Sequence, residues 1–512
     1  MASREARVAR TPDLRPSSLW LATASPIGYP PLMEAIEVDV AVIGGGIAGL
    51  TTALVLKRRG LTVAVVEAAQ IGTGVTGNTT GKITSLHRLA FTDLTSRHNG
   101  EIARAYGKAN QAAIEHIART VHGEGIDCDF RRVANYTYAG SSEALAQVRA
   151  EADLAASLEL PASFTADVPL PFPTRGAVRF DDQAQFHAVK YLHGLARAVD
   201  GGGSFVFEGS RALGIRDGSP AEVETEGGTL RARSVVVATN VPIHDGGRFA
   251  ERLYLHRSYI VASPVEEFPA DSTFISVDEP MRSMLAVRLD GTDYALVGGE
   301  GHRVPGGGGS AERFERLAAF ARERLGGNEP AFQWSTQDAM PADGLPLAGP
   351  MSPDSKHVYV ITGLRKWGLT NGTAAALVVA DLITGADSPW AGLFDSNRRL
   401  RAKAVPPSAA AQAAAPADRR PLFAELKPGR GTVVDADGEP TAVYADAGGS
   451  LHAHTAVCTH LGCTVEFNSR ARTWDCPCHG SRFALDGSVI HGPATEDLAR
   501  RAVPARPQPV QR

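Results

Sequence analysis

Cysteine is scarce in this chain. It has five in 512 residues, at positions 128, 458, 463, 476 and 478. A secreted disulfide scaffold needs cysteines throughout a small domain, so that class is excluded. Long apolar runs are missing too. The longest, residues 374–380, falls far short of the ~20 residues that span a bilayer. There is no block of like charge and the net charge is −4, so no nucleic-acid surface is expected. Arg4, Arg7, Arg10 and Arg15 open the chain, but no apolar stretch follows them, so a secretory leader is not expected. Glu5 and Asp13 oppose an organellar presequence. The expectation is a soluble, cytoplasmic protein without a membrane span. Its length suits two to four domains, and no internal repeat is visible.

What is present is a sequence in four parts. Residues 1–37 are proline-rich and irregular, an arm expected to lie on the body. Residues 38–395 form the main unit, 396–420 a linker and 421–512 a small domain. Within the linker, 404–420 is an alanine–proline stretch of low complexity. The main unit opens with an apolar run, 38–43, that reads as a buried strand. A helix follows from 47 to 59 and stops at Gly60. A second strand covers 61–67. Further helices are expected near 102–121 and after Ser310, and buried strands at 235–238 and 358–361. Alternating segments such as 294–297 suit an antiparallel sheet.

The strand–turn–helix–strand unit carries Gly44-Gly-Gly46-Ile-Ala-Gly49. Gly44 permits the tight turn, Gly46 lets backbone approach a pyrophosphate, and Gly49 lets helix and strand pack closely. The helix N-terminus presents free N–H groups to phosphate. Glu67 ends the second strand, where a carboxylate accepts from ribose hydroxyls. The motif alone does not choose between FAD and NAD. The other glycine clusters, 201–203, 298–301 and 306–309, lack the strand–turn–helix context, so no second nucleotide site is expected.

Three further segments bear on the cofactor. Val40-Ala-Val-Ile-Gly-Gly-Gly-Ile-Ala-Gly-Leu50 with Val65-Val-Glu67, the loop Gly74-Val-Thr-Gly-Asn78-Thr-Thr80-Gly-Lys82, and Tyr359-Val-Ile-Thr-Gly363-Leu-Arg-Lys366-Trp367-Gly368-Leu-Thr370-Asn371-Gly372 together resemble the D-amino-acid-oxidase-like superfamily of FAD-dependent oxidoreductases. The resemblance covers roughly residues 38–390. It implies an α/β, Rossmann-like FAD-binding domain interleaved with an antiparallel α+β substrate domain. It also implies FAD contacts from Gly44, Gly46, Gly49, Glu67, Asn78, Thr80, Lys82, Ala238, Thr239, Gly363, Gly368, Thr370 and Asn371. Lys366 and Trp367 are expected near the flavin edge. Arg257 and Tyr259, on one face of a strand at 255–262, are candidates for the substrate pocket, and Arg257 suits a carboxylate. His302, read as following a glycine turn at 298–301, is a candidate base. Trp334 and Gln337 are candidates to line the ring.

The small domain carries Cys458-Thr-His460-Leu-Gly-Cys463 and Cys476-Pro-Cys478-His479-Gly-Ser481. Each half offers a thiolate, an imidazole and a spare cysteine, the ligand set of a Rieske [2Fe–2S] centre. Two Cys and two His also suit zinc. The extra Cys463 and Cys478, with Leu461-Gly462 and Gly480-Ser481, favour iron–sulfur. Residues 421–505 resemble Rieske domains of the disulfide-containing kind, a small all-β fold. The resemblance implies Cys458 and Cys476 on one iron, His460 and His479 on the other, and a Cys463–Cys478 disulfide. It assigns Ser481 as a donor to the cluster sulfurs and Gly492-Pro493-Ala494 as a covering loop. Phe483 stands where the family often has tyrosine, which puts the potential below the top of a range of roughly −150 to +300 mV. Cys128 is read as an inert buried thiol.

Flavin takes electrons in pairs and the cluster passes them singly. The leading expectation is therefore an FAD-dependent dehydrogenase. It would oxidise a small organic substrate, by family analogy an amine or amino acid, and hand electrons through the cluster to an external acceptor. The alternative is an electron-transfer or redox-sensing module that exchanges electrons with a partner protein and has no organic substrate of its own.

Overall fold

The computed structural model describes residues 14–15, 17–244, 249–304, 310–399, 426–436, 438–469, 471–477 and 480–503. The low-complexity stretch 404–420, together with Cys478 and His479, lies outside them. The first layer is a sheet whose central strands, Ala35–Ile43, Val63–Val66, Phe205–Phe207, Thr229–Asn240 and Val358–Thr362, run parallel. Leu347–Pro350 closes one edge antiparallel. Their central stretches 40–43, 63–66, 235–237 and 360–361 are buried at successive positions, hence on both faces, which is why they read as near-continuous Val/Ile/Ala runs. The helix Ile47–Arg58 is buried from Ile47 through Leu56. It lies between the sheet and a second apolar helix, Gly368–Thr384, so it shows little amphipathic patterning.

Two glycines of the first turn are sterically fixed. Gly44 sits at φ +112, and a Cβ there would lie 2.6 Å from the Ala238 carbonyl. At Gly49 a Cβ would meet the Gly44 carbonyl at 2.0 Å.

The second layer is a nine-stranded sheet containing Leu253–Pro264, Arg282–Leu289, Thr292–Val304 and Phe332–Pro341. Its pairings are antiparallel apart from Ser272–Ser276 against Arg131–Ala139. The glycines at 298–301 form no turn. They lie inside the strand Thr292–Val304, whose register shifts opposite Arg257 and Tyr259. They are small because the neighbours are close: a Cβ at Gly299 would lie 2.4 Å from the Met281 carbonyl, and one at Gly301 2.6 Å from the His256 ring.

The arm is anchored to the body. Its short helix Leu19–Thr23 buries Trp20, whose indole donates to the Thr79 carbonyl at 2.7 Å. Residues 396–399, read as the start of the linker, also pack on the body, where Arg398 pairs with the buried Asp343. The C-terminal domain is two small antiparallel sheets, of three and four strands, around a core that includes Trp474 and Phe483.

Candidate functional site

A cavity of about 560 Å³ runs between the parallel sheet, the nine-stranded sheet and the C-terminal domain. One wall is the glycine turn. Glu67 accepts from the Gly45 N–H at 2.8 Å and from Ala69 N–H at 3.0 Å, and burial pushes its carboxyl up from the usual range. Gly46 caps the helix Ile47–Arg58 without a side-chain cap of its own, which leaves donors for an anion. Thr80, Lys82, Ala238, Thr239 and Gly368 also line the cavity.

Other expected cofactor residues shape the wall from behind. Asn78 folds its loop by donating to the Thr73 and Gly74 carbonyls. Thr370 donates to the Thr84 carbonyl, and Asn371 donates to the Tyr106 hydroxyl at 3.0 Å. Gly363 takes φ +66 and packs against Leu253 and Pro341. A glycine-walled turn, a buried acid at the end of the second strand and a helix N-terminus without a side-chain cap from Gly46 fit a bound FAD.

The nine-stranded sheet offers the cavity a different face from the one expected. In the strand Leu253–Pro264 it is His256, Ser258 and Ile260 that line the cavity, with Thr336, Asp338 and Met340 from the neighbouring strand. Lys366 donates to Ser258 Oγ at 3.0 Å. Burial lowers Lys366 to about 8, and burial raises Asp338 to about 6 against the opposing charge of Lys366. Lys82 is lowered by burial to about 7 and donates to the Phe274 carbonyl. His87 stacks on Trp367 at 4.5 Å and is held neutral by burial, at about 3.

Arg257 points the other way, since successive strand residues alternate faces. Its guanidinium pairs with Asp475 of the C-terminal domain at 2.5 Å and donates to Gln337 Oε1. It is already neutralised and lines no part of the cavity. Tyr259 reaches the cavity margin, but its ring packs edge-on against Phe314 and its hydroxyl meets His302 Nε2 at 3.1 Å. His302 is spent on that contact and on the Arg303 carbonyl, away from the cavity. Trp334 is buried in the core and donates to the Asn78 carbonyl. Gln337 donates to the Gly480 carbonyl at 2.6 Å, so it touches the metal-site loop instead of lining the ring. His87, His256, Ser258 and Asp338 went unnoticed in the sequence. The one signal for the last three was period-2 alternation, which marks faces without saying which one meets the cavity.

At the C-terminal centre Cys458 and Cys476 are buried and outside any disulfide. The Cys458 thiol is held well below its usual range by Cys476, against burial, with help from the backbone of His460 and Leu461 and from Ser481. Ser481 is fully buried, and its Oγ accepts the Ala494 N–H at 2.9 Å. Cys463 is disulfide-bonded, and its expected partner Cys478 is outside the described residues. So is the fourth expected ligand, His479. Two adjoining thiols ringed by N–H and O–H donors, with His460 on the same loop, fit an iron–sulfur cluster better than a bare metal ion. Phe483 fills the core with no hydroxyl to offer.

The two centres adjoin. Val489, Ile490, His491, Gly492, Ala494 and Thr495 of the C-terminal domain wall the cavity. Ala494 is therefore in the cavity wall while its N–H reaches Ser481, which contacts Cys458. A second connection runs from Asn240, whose Nδ2 donates to the Gln337 carbonyl at 3.2 Å, through the Gln337 side chain to Gly480. The domains are held together by Arg257–Asp475, by Arg211 donating to the Val489 carbonyl at 3.1 Å, and by Ser310 with Asn468. Among the described residues, no helix is long and apolar enough to cross a membrane.

Comparison with known proteins agrees with this division. Residues 39–382 match the FAD dependent oxidoreductase family and residues 422–503 the Rieske [2Fe-2S] domain. YhfW of Bacillus subtilis (strain 168), named as a Rieske 2Fe-2S iron-sulfur protein, is 33% identical over 94% of this chain and 97% of its own length. Gamma-glutamylputrescine oxidoreductase of Escherichia coli (strain K12) is 29% identical over 72% of this chain and 89% of its own. Glycine oxidase from Geobacillus kaustophilus superposes with a TM-score of 0.61 at 20% identity, over 71% of this chain and 99% of that one. That likeness is one of fold.

Proposed function

Because the chain belongs to the FAD dependent oxidoreductase family and carries a Rieske [2Fe-2S] domain behind it, we propose that it oxidises a small amine or amino acid and passes the electrons singly to an external acceptor. When bound, FAD supplies two-electron chemistry and the cluster one-electron chemistry. The observation that carries the reading is the shared wall. Ala494 borders the cavity, and its N–H is bonded to Ser481, itself in contact with a cluster cysteine.

The chain's own residues provide the rest. Asp338 and Lys366 stand in the cavity as an acid and a base, with Lys366 donating to Ser258. A carboxylate holds an ammonium group, and an ammonium holds a carboxylate. Burial strengthens both contacts by excluding water. His87 and Trp367 close the other side as a neutral stacked pair that adds no charge. The relative named for gamma-glutamylputrescine supports an amine substrate. A cavity holding this acid–base pair favours substrate oxidation over the module that only relays electrons.

The test is anaerobic mixing of the holoprotein with a panel of amines, amino acids and 2-hydroxy acids. Flavin bleaching should be followed by the EPR signal of a reduced cluster. Bleaching without that signal refutes the internal relay. Bleaching only by a reduced protein donor refutes the substrate.

A further inference from the structure

The loop Val489–Thr495 belongs to the C-terminal domain, yet it lies along the cleft of a cofactor bound by the other domain. At one end Arg211, which stands close enough to Glu67 to act on its charge, holds the Val489 carbonyl. In the middle, His491 Nε2 meets Asn240 Nδ2 at 3.5 Å, and both residues line the cavity. Asn240 takes φ +63, an uncommon conformation for a non-glycine residue. Its side chain also donates to the Gln337 carbonyl, and its backbone carbonyl accepts from Thr362 Oγ1. The contact with His491 therefore falls on a residue fixed from several sides. We propose that His491 is an FAD-contacting residue contributed by the cluster domain, so that FAD occupancy and docking of that domain are coupled.

Three further observations support it. Burial, with Arg482 and Arg257 nearby, lowers His491 to about 4, so the ring is neutral at pH 7. A neutral ring that accepts at Nε2 carries its proton on Nδ1, a donor available to a polar group of the cofactor. Arg257–Asp475 and Gln337–Gly480 set the domain in one orientation, which spares the loop the entropy of finding its place. Coupling of this kind is reciprocal: if docking tightens FAD binding, FAD tightens docking by the same factor. The inference rests on the FAD site of the family and is independent of whether electrons cross.

The experiment uses the full-length, cluster-loaded protein with FAD removed and restored. In the parent, FAD should slow amide exchange of the 489–494 segment at least tenfold. His491→Ala should raise the FAD dissociation constant at least tenfold, and His491→Gln, which keeps a donor, by less than threefold. An unchanged EPR spectrum of the reduced cluster shows that the variant domain is folded. Should H491A lose that signal, exchange in the parent alone decides. FAD that leaves the 489–494 segment unprotected overturns the inference, as does H491A binding FAD like the parent. An H491A protein with parental FAD affinity that still reduces its cluster overturns this inference and leaves the relay standing.

Discussion

Replacing Arg257 by Met tests how firmly the two redox domains are joined. The substitution is made on the oxidoreductase side, so the sequence around the cluster is untouched. Arg257 is buried beside Asp475, and their side chains are 8% and 12% exposed. Removing one partner of such a pair costs about 3–5 kcal/mol when the other charge is left alone. Here Asp475 keeps Arg482, Asn468 and Thr473, so a smaller loss of about 2–3 kcal/mol applies. That corresponds to a fall of about 30- to 140-fold in the docking constant. Methionine fills the space of the stem, so little of the loss comes from a void. Amide exchange reads docking directly. The strand Thr473–Asp475 and the segment 489–491 should exchange about 30-fold faster or more, while the parallel sheet stays protected. Light-driven reduction of the flavin, followed by the rate at which the cluster signal appears, reads its consequence. If R257M matches the parent in both, the ion pair does not hold the domains and the docking argument fails.

Three other outcomes are expected. Gly49→Ala places a Cβ 2.0 Å from the Gly44 carbonyl, and an overpacked turn costs about 1–3 kcal/mol. Purified G49A should therefore lack the flavin absorption band while keeping its cluster signal. Ser481→Ala removes a hydroxyl that contacts Cys458 and accepts from Ala494. A lost bond of about 1–2 kcal/mol that favours the reduced cluster lowers the potential by on the order of 40–80 mV, measurable by redox titration, and an unchanged midpoint denies Ser481 this role. Lys82 holds its proton to about 7 when folded, because burial disfavours the charge, against 10.5 as the ordinary value. Between those values the unfolded chain binds more protons, so stability of the FAD-free protein should rise with pH by up to about 1.4 kcal/mol per unit. Thermal melts at pH 7, 8 and 9 should show this rise in the parent and a flatter response in Lys82→Met.

The nucleotide-binding unit was legible because its signals are local. Strand, glycine turn, helix and Glu67 lie within about thirty residues, and Gly49 answers to the nearby Gly44 carbonyl. The cysteine–histidine loops were legible for the same reason. The pocket face of the nine-stranded sheet was not. Alternation in the strand Leu253–Pro264 separates His256 and Ser258 from Arg257 and Tyr259, but both faces are largely covered. The even residues lie over the flavin cleft, and the odd ones meet the cluster domain and the helix Ser310–Leu325. With no position of the strand exposed to solvent, hydropathy cannot assign the phase. Arg257 was chosen for its chemistry and proved to be committed elsewhere. Gln337 follows the same logic on the adjacent strand. The bond from Gln337 to Gly480 joins residues 143 apart in sequence, a proximity no local pattern encodes.

Leu461, beside the expected ligand His460, is 66% exposed, while Gly480 on the other cysteine–histidine loop is pressed against Gln337 and Leu255. The pair of loops expected to hold the cluster is thus tucked in on one flank and open on the other. An acceptor docking on the open flank would leave the inner one seated, so charge would traverse the molecule with nothing swinging. Turnover should then be indifferent to solvent viscosity and to the length of the alanine–proline tether, unlike a shuttle that must travel between donor and acceptor.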